Sequence, residues 1–557
     1  MLNKQFLPGV AYFCMEYGLH EELPIYSGGL GILAGDHIKC AGEKNLPLVG
    51  IGILWRQGYT TQLIDDDGKP YDVFKDIDLD NLKDIKVTVN VKIGDKDILC
   101  KIWLVDKYGN APLYLLDANL SENGENRYIT NRLYCGSEHD RIAQEIILGI
   151  GGIRALRALG IEVDVYHFNE GHAVLGAVEL IREKMSWGLS FEEAWYKTRN
   201  QVVFTTHTPV TAGNGVYSHH ALGCTGAYNG LSYEQMSQIG GDPFSITVAG
   251  LNLSRKTNAV SKTHSETAKK MWGHIKDASP IIPITNGVHR KTWQDSEIIE
   301  AFENGNDLWE PHLKAKKELV NEIYKRNNKN KLNPDSLIIG FARRITSYKR
   351  CDLIFKNAEL LEPLLEEGKI QLLFSGKAHP QDEEGKSVLP RIIEMSNKYP
   401  HSVAFLENYD MKIGKLLTRG CDAWLNNPRR PLEASGTSGM KAAMNGVLNL
   451  SILDGWWPEA CKHGINGWQI GHGHECCNQD EHDANSLYQV LLREVIPTYY
   501  DNKPKWLKMM RNSIAASTWK FSAERMLTEY YYKMYSQEEA LKEIAATISN
   551  IHNVNYI

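Results

Sequence analysis

Three short segments carry side chains suited to chemistry on an anion. One is Glu433-Ala434-Ser435-Gly436-Thr437-Ser438-Gly439-Met440-Lys441, a run of small residues leading into a helix-forming stretch over 440–445. Free N–H groups at such a helix start can cradle a phosphate or a sugar. Lys441 is expected in the first turn, among Met440, Ala442, Ala443 and Met444. Apolar surroundings lower a lysine's pKa and favour an imine with an aldehyde; a surface lysine beside a loop is the plainer alternative. The second segment is Arg343-Arg344-Ile345-Thr346-Ser347-Tyr348-Lys349-Arg350, with four cations in eight residues. Such a run is often a solvated face, but this one follows a strand pattern, where Arg forks and a Lys point charge would meet a phosphate. The third is Ser27-Gly28-Gly29-Leu30-Gly31, ahead of a helix-like stretch over 32–42. It reads either as an anion loop capped by a helix N-terminus or as a tight turn.

These segments need rigid elements to hold them. Past about residue 296 the rhythm is regular. Apolar runs at 336–342, 370–375, 402–406, 421–425 and 447–453 alternate with helical stretches such as 352–367 and 389–398. Strands alternating with helices predict an α/β, doubly wound parallel sheet, with ligands beyond the carboxyl ends of the strands. Upstream, 87–91 and 98–105 read as strands joined by a turn at Gly94-Asp95. The stretch 143–159 reads as a buried helix with glycines for close packing. A strand at 163–168, a helix at 171–184 and a strand at 201–206 follow, and amphipathic helices occupy 506–534.

A chain of 557 residues exceeds one core and implies two or three domains. It is 43% hydrophobic and 23% charged with a net charge of −6, which offers nucleic acid or an anionic membrane no attraction. No apolar run is long enough for a membrane helix, and residues 1–10 contain no signal-like apolar stretch. The ten cysteines are scattered, which points to a reduced, cytoplasmic setting. Cys476 and Cys477 lie near His472 and His474, but no second pair of ligands accompanies them, and no metal is expected.

Together the three motifs resemble those of the α-glucan phosphorylases: a pyridoxal-phosphate lysine motif, a phosphate-binding strand end and a glycine loop over the substrate phosphate. Further matches are His167-Phe168-Asn169-Glu170-Gly171-His172, Thr206-His207-Thr208-Pro209, Ile284-Thr285-Asn286-Gly287-Val288, Ser375-Gly376-Lys377-Ala378-His379-Pro380 and Glu407-Asn408-Tyr409, spanning residues 10–455 in order. The resemblance implies two Rossmann-like domains facing across a cleft (GT-B type), 1–295 and 296–557, with the last helix crossing back. It implies reversible phosphorolysis of α-1,4-glucan (glycogen, starch or maltodextrin) to glucose 1-phosphate with retention of configuration. Lys441 would hold pyridoxal 5'-phosphate, with Thr437, Ser438, Lys349 and Tyr409 around it. Lys349 and Arg344 would neutralise the cofactor and substrate phosphates, and Gly28 and Gly29 would hold the substrate phosphate. Asn286, Glu433, Ser435 and Gly436 would hold glucose. The His207 carbonyl would face the anomeric carbon, and Tyr348 would line the site.

Some positions depart from the long members. Arg343 replaces a Lys, Asp410 follows Tyr409 where they have Arg, and Glu170-Gly171 replace a shorter acid and a small polar residue, so Glu170 receives no catalytic role. Arg429 and Arg430 have no counterpart and either contact phosphate or glucan or pair with carboxylates. The resemblance begins at Val10, which implies that the N-terminal phosphorylation and nucleotide segment of long members is missing, and with it activation by AMP. The rival reading is a nucleotide-sugar-dependent retaining glycosyltransferase of the same fold, which would have no use for Lys441. The sequence leaves a homodimer open.

Overall fold

The computed structural model describes residues 7–210, 213–475 and 477–536. By contact the chain divides into two compact units. One comprises residues up to Tyr59, Lys75–Thr285 and the chain from Ala523 onward; the other comprises Thr60–Phe74 and Asn286–Ser522. The division falls at Thr285 and Asn286, against 295–296 from the sequence. The hairpin of strands Thr61–Ile64 and Pro70–Val73 belongs with the second unit, where Gln62 and the Ala378 main chain exchange two hydrogen bonds.

The second unit is built on a six-stranded, fully parallel sheet. In spatial order its strands are Val403–Leu406, Ile370–Ser375, Leu337–Ala342, Ala423–Asn426, Leu448–Ile452 and Gly467–Ile470. By chain order this is 3-2-1-4-5-6, the doubly wound arrangement, which reverses between Leu337–Ala342 and Ala423–Asn426. Such strands are buried on both faces and therefore read as unbroken apolar runs. In Leu337–Ala342, for example, Leu337, Ile339 and Phe341 join one core cluster while Ile338 and Ala342 join another. Gly467–Ile470 was missed in the sequence, because four residues beginning with glycine carry no such run.

The first unit contains a nine-stranded sheet with seven parallel strands. Their spatial order repeats the pattern as 3-2-1-4-5-6-7, reversing between Val10–Phe13 and Val165–Asn169. The predicted hairpin forms as Lys83–Ile93 and Lys96–Val105, added antiparallel at one edge. The predicted helix over 143–159 is broken into Glu138–Ile146, a π-helical turn at Ile147–Gly151 and Gly152–Ala158. Gly149 explains the close packing there, since a Cβ would lie 2.5 Å from the Gly176 nitrogen. The helix Ala523–Tyr530 and the turn Tyr531–Tyr535 pack on this unit; Tyr535 OH lies 2.7 Å from His167 Nδ1, and Tyr530 OH accepts from Asn258. Among the described residues no helix is long and apolar enough to cross a membrane.

Candidate active site

In the second unit the predicted residues gather where the strand order reverses. Arg343 leaves the end of Leu337–Ala342, and a short turn, Ser347–Lys349, brings Lys349 back. Arg343 and Lys349 both donate to Glu433 Oε2, while the other arm of Arg343 reaches Asn426 Oδ1 at the end of the neighbouring strand. Burial alone would raise the Glu433 carboxyl, but the charges of Arg343 and Lys349 hold it down to about 2. Asp454 is buried below it and accepts the Glu433 and Gly455 N–H groups at 2.9 Å each. Burial pushes Asp454 up to about 7 against those two hydrogen bonds. Tyr348 lies with its ring 4.5 Å from Lys349 Nζ. Arg344, by contrast, is exposed and is not among the cations on Glu433.

Ser435 and Gly436 lead from Glu433 into the helix Thr437–Met444. Gly436 has φ +86°, a left-handed turn that glycine adopts without strain. Among the described residues the buried Ser435 hydroxyl has no hydrogen-bond partner. Trp424 Nε1 donates to Ser438 Oγ at 3.2 Å and ties the helix start to the sheet. The helix begins at Thr437, not Met440, so Lys441 sits in its second turn rather than its first. Its side chain is buried, with Nζ 3.5 Å from the centre of the Trp293 ring. Asn286 is buried as well. Tyr409 is half-buried beside the core cluster under Leu406 and Ile413, and burial raises its phenol.

The first unit holds the other predicted residues, again at strand ends. Glu16 follows the strand Val10–Phe13 and is buried; it accepts the N–H groups of Ser27 (2.6 Å) and Gly28 (3.2 Å) and the Tyr134 hydroxyl (2.9 Å). This carboxylate shapes the glycine loop, and the helix Gly29–Glu43 starts directly behind it. A Cβ on Gly28 or Gly29 would meet nothing within 4 Å, so the loop faces open space. His207 follows Val202–Thr206. Its Nε2 lies 2.6 Å from Asn169 Oδ1, and its main-chain N–H donates to Glu170 Oε2 at 2.8 Å. Burial pushes His207 down to about 3, so the ring is neutral.

Residues 290–463 match the carbohydrate phosphorylase family. The chain is 41% identical to the maltodextrin phosphorylase of Thermococcus litoralis, over 98% of this chain and 74% of that protein. It is 36% identical to the glycogen phosphorylase of Aquifex aeolicus, over 95% and 86% of the two chains. It is 36% identical to that of Mycobacterium tuberculosis, over 96% and 71%. The chain belongs to the carbohydrate phosphorylase family.

Within this phosphorylase several contributors escaped the sequence reading. Glu16, Asn426 and Asp454 are single polar residues near strand ends with no motif that assigns them a role, Asn169 stands inside a quoted motif that gave it none, and Trp293 is far in sequence from the lysine it covers. Arg429 pairs with Asp480, at 3.2 and 2.6 Å, and donates its N–H to Tyr348 O; Arg430 reaches Leu453 O. Both brace the loop ahead of Glu433. His472 lies 6.0 Å from His474 and 4.9 Å from His482, ring centre to ring centre, and among the described residues no group of three or more His, Cys, Asp and Glu is set to hold a metal. Cys476 lies outside the described residues.

Proposed function

We propose that this phosphorylase acts on α-1,4-glucan, cleaving the terminal glucose with inorganic phosphate to give α-D-glucose 1-phosphate. The observations that carry the reading are a buried lysine on a helix behind a small-residue loop, and, at the start of that loop, a buried carboxylate that holds the buried Lys349 and the part-buried Arg343. Relatives named maltodextrin phosphorylase and glycogen phosphorylase support the substrate class.

The second unit suits pyridoxal 5'-phosphate. Lys441 is buried under an aromatic face, the N–H groups of Thr437 and Ser438 open a helix N-terminus, and the Ser435 hydroxyl lacks a partner. Lys441, Thr437, Ser438, Lys349 and Tyr409 would hold the group. Bound there, it supplies a phosphate whose second pKa of about 6 suits proton exchange near neutrality. Lys349 and Arg343 lower the cost of bringing two phosphates together, and Arg344 adds charge from the exposed side. In the reaction the bond between C1 of the terminal sugar and O4 of the next breaks, an oxygen of inorganic phosphate bonds to C1, and the proton of that phosphate ends on the departing O4. Glu433, Ser435, Gly436 and Asn286 orient the sugar, and Gly28 and Gly29 receive the substrate phosphate. The His207 segment, with its neutral ring, would face the positive charge that develops at C1.

The test is release of glucose 1-phosphate from maltodextrin, glycogen and starch at limiting phosphate. Phosphate-dependent release is expected. Transfer from a nucleotide sugar, indifferent to phosphate, would overturn the reading.

A further inference from the structure

The end of the strand Val165–Asn169 spends two consecutive side chains on a single residue. Asn169 is buried and bridges two groups. Its Nδ2 donates to Cys14 Sγ at 3.3 Å, and its Oδ1 lies 2.6 Å from His207 Nε2. Glu170 takes the main chain of the same histidine: Oε2 accepts the His207 N–H at 2.8 Å and the Thr208 hydroxyl at 3.1 Å, and Oε1 accepts the Gly171 N–H at 3.2 Å. To reach there Glu170 adopts φ 74° and ψ 169°, a conformation nearly reserved for glycine. Strain of that kind persists only where the surroundings over-determine it.

The bridge fixes hydrogen positions. Burial pushes the Cys14 thiol up to about 12, so the group beside Asn169 is an uncharged sulfur. With its amide N–H on that sulfur, Asn169 can offer His207 only an acceptor, so Nε2 must carry the ring proton. Nδ1 is left bare. We propose that Asn169 is a positioning residue that holds His207 as the neutral, Nε2-protonated tautomer. Its purpose rests on the proposed phosphorolysis: an imidazolium beside a sugar gaining positive charge at C1 would oppose the transition state more than the ground state.

The charged and titratable groups around the ring agree with a neutral form. Glu170 is engaged by N–H and O–H donors; His172, His264 and His167 lie close enough that a charge on any of them would repel one on His207. Among the described residues the hydrogen-bond partner of Nε2 is Asn169.

Two measurements test this. Asn169→Asp replaces the neutral acceptor with a carboxylate, which favours imidazolium. The ratio of its glucose 1-phosphate release rate to wild type is expected to fall on the order of tenfold between pH 7.5 and 5.5. Asn169→Ala, which merely frees the ring, is expected to lower the rate by a ratio that does not vary with pH. Equal, pH-independent ratios for the two variants would overturn the proposal. The second measurement needs no activity. Protein labelled with 15N-histidine, with the His207 signal assigned by its loss in His207→Gln, is expected to show a protonated Nε2 and a bare Nδ1 at pH 7. A protonated Nδ1 in wild type would overturn the proposal even if turnover is normal. Wild type that shows the expected tautomer but releases no glucose 1-phosphate would sink the proposed reaction and leave the assignment of Asn169 standing.

Discussion

The two sheets run their parallel strands in the same order, and each ends its fourth strand on an asparagine: Asn169 in the first unit, Asn426 in the second. Their surroundings could hardly differ more. Asn426 accepts from the Arg343 guanidinium, which shares the Glu433 carboxylate with Lys349. Asn169 sits between a neutral thiol and a neutral imidazole. The same backbone feature, a strand end at the point where the order reverses, sets its asparagine against a charged cluster in one unit and between two neutral groups in the other. The doubly wound fold supplies the position, and a few side chains from distant strands set its electrostatics.

The largest effects are expected on the charged side. Lys441→Ala should abolish glucose 1-phosphate release and leave the purified protein without cofactor absorbance; near-normal turnover with bound cofactor would remove Lys441 from the site. Lys349→Ala should lower the rate with phosphate on the order of 10²–10³-fold, because it removes a cation from between two anions. Arg344→Ala, which removes an exposed cation, should cost less. Unchanged phosphate kinetics in both would mean that this strand end does not receive phosphate.

Stability sharpens the contrast. Glu433→Ala leaves the buried Lys349 and the part-buried Arg343 without their counter-charge and is expected to cost about 3–5 kcal/mol in urea unfolding. Asn169→Ala breaks hydrogen bonds between neutral groups and is expected to cost about 1–2 kcal/mol. Equal losses would show that the carboxylate does not hold the two cations in place.

Acid should separate the units as well. In the first, burial pushes His37 and His207 down to about 3 and His172 and His264 to about 4, and holds His167 well below its ordinary value. Their folded pKa values lie below the ordinary 6.5, so the unfolded chain binds protons first. The stability they give is complete above about pH 6.5 and declines as pH falls toward 3. Glu145, pushed up to about 8 by burial, and Glu16 and Glu170 act in the opposite sense, but the five histidines outnumber them. In the second unit Glu433, held near 2, gives stability that is complete above its ordinary 4.5 and lost only below it. Asp454, raised to about 7, loses stability as pH rises through 7 and so gains on acidification. Hydrogen exchange between pH 6.5 and 5, corrected for intrinsic rates, should show Val165–Asn169 losing protection while Leu337–Ala342 keeps it. Parallel loss in both strands would contradict this assignment.

The legible and the hidden parts of this phosphorylase have different causes. Strands such as Leu337–Ala342 and Ile370–Ser375 were readable because burial on both faces demands an apolar run. The cations of the strand end were readable as a cluster. Their carboxylate partner lies 84 and 90 positions away, and only folding pairs them. Asn169 stood inside a recognised motif, yet its work depends on Cys14 and His207, which come from the first and fifth parallel strands. Arg429 and Arg430, which have no counterpart in the long members, brace the loop ahead of the site through Asp480 and the Leu453 carbonyl, partners that only folding brings to them.

The smallest effect is expected at Gly29, in a loop where Gly29 and Gly31 meet opposite surroundings. At Gly31 a Cβ would lie 2.6 Å from Glu16 Oε2 and from Tyr26 Cβ, so Gly31→Ala pushes on the carboxylate that holds the Ser27 and Gly28 N–H groups. A cost of about 1–3 kcal/mol is expected. At Gly29 a Cβ would meet nothing within 4 Å, and the residue opens the helix Gly29–Glu43. Gly29→Ala should therefore leave thermal stability unchanged or raise it by about 0.4–1 kcal/mol, since it restricts the unfolded chain without strain in the folded one. The methyl group does enter the space in which the substrate phosphate is proposed to approach the loop. The KM for phosphate should then rise severalfold while that for glucan moves less. A stable Gly29→Ala enzyme with an unaltered phosphate KM would show that this loop is a turn, and that the anion is received on the cation-rich side without it.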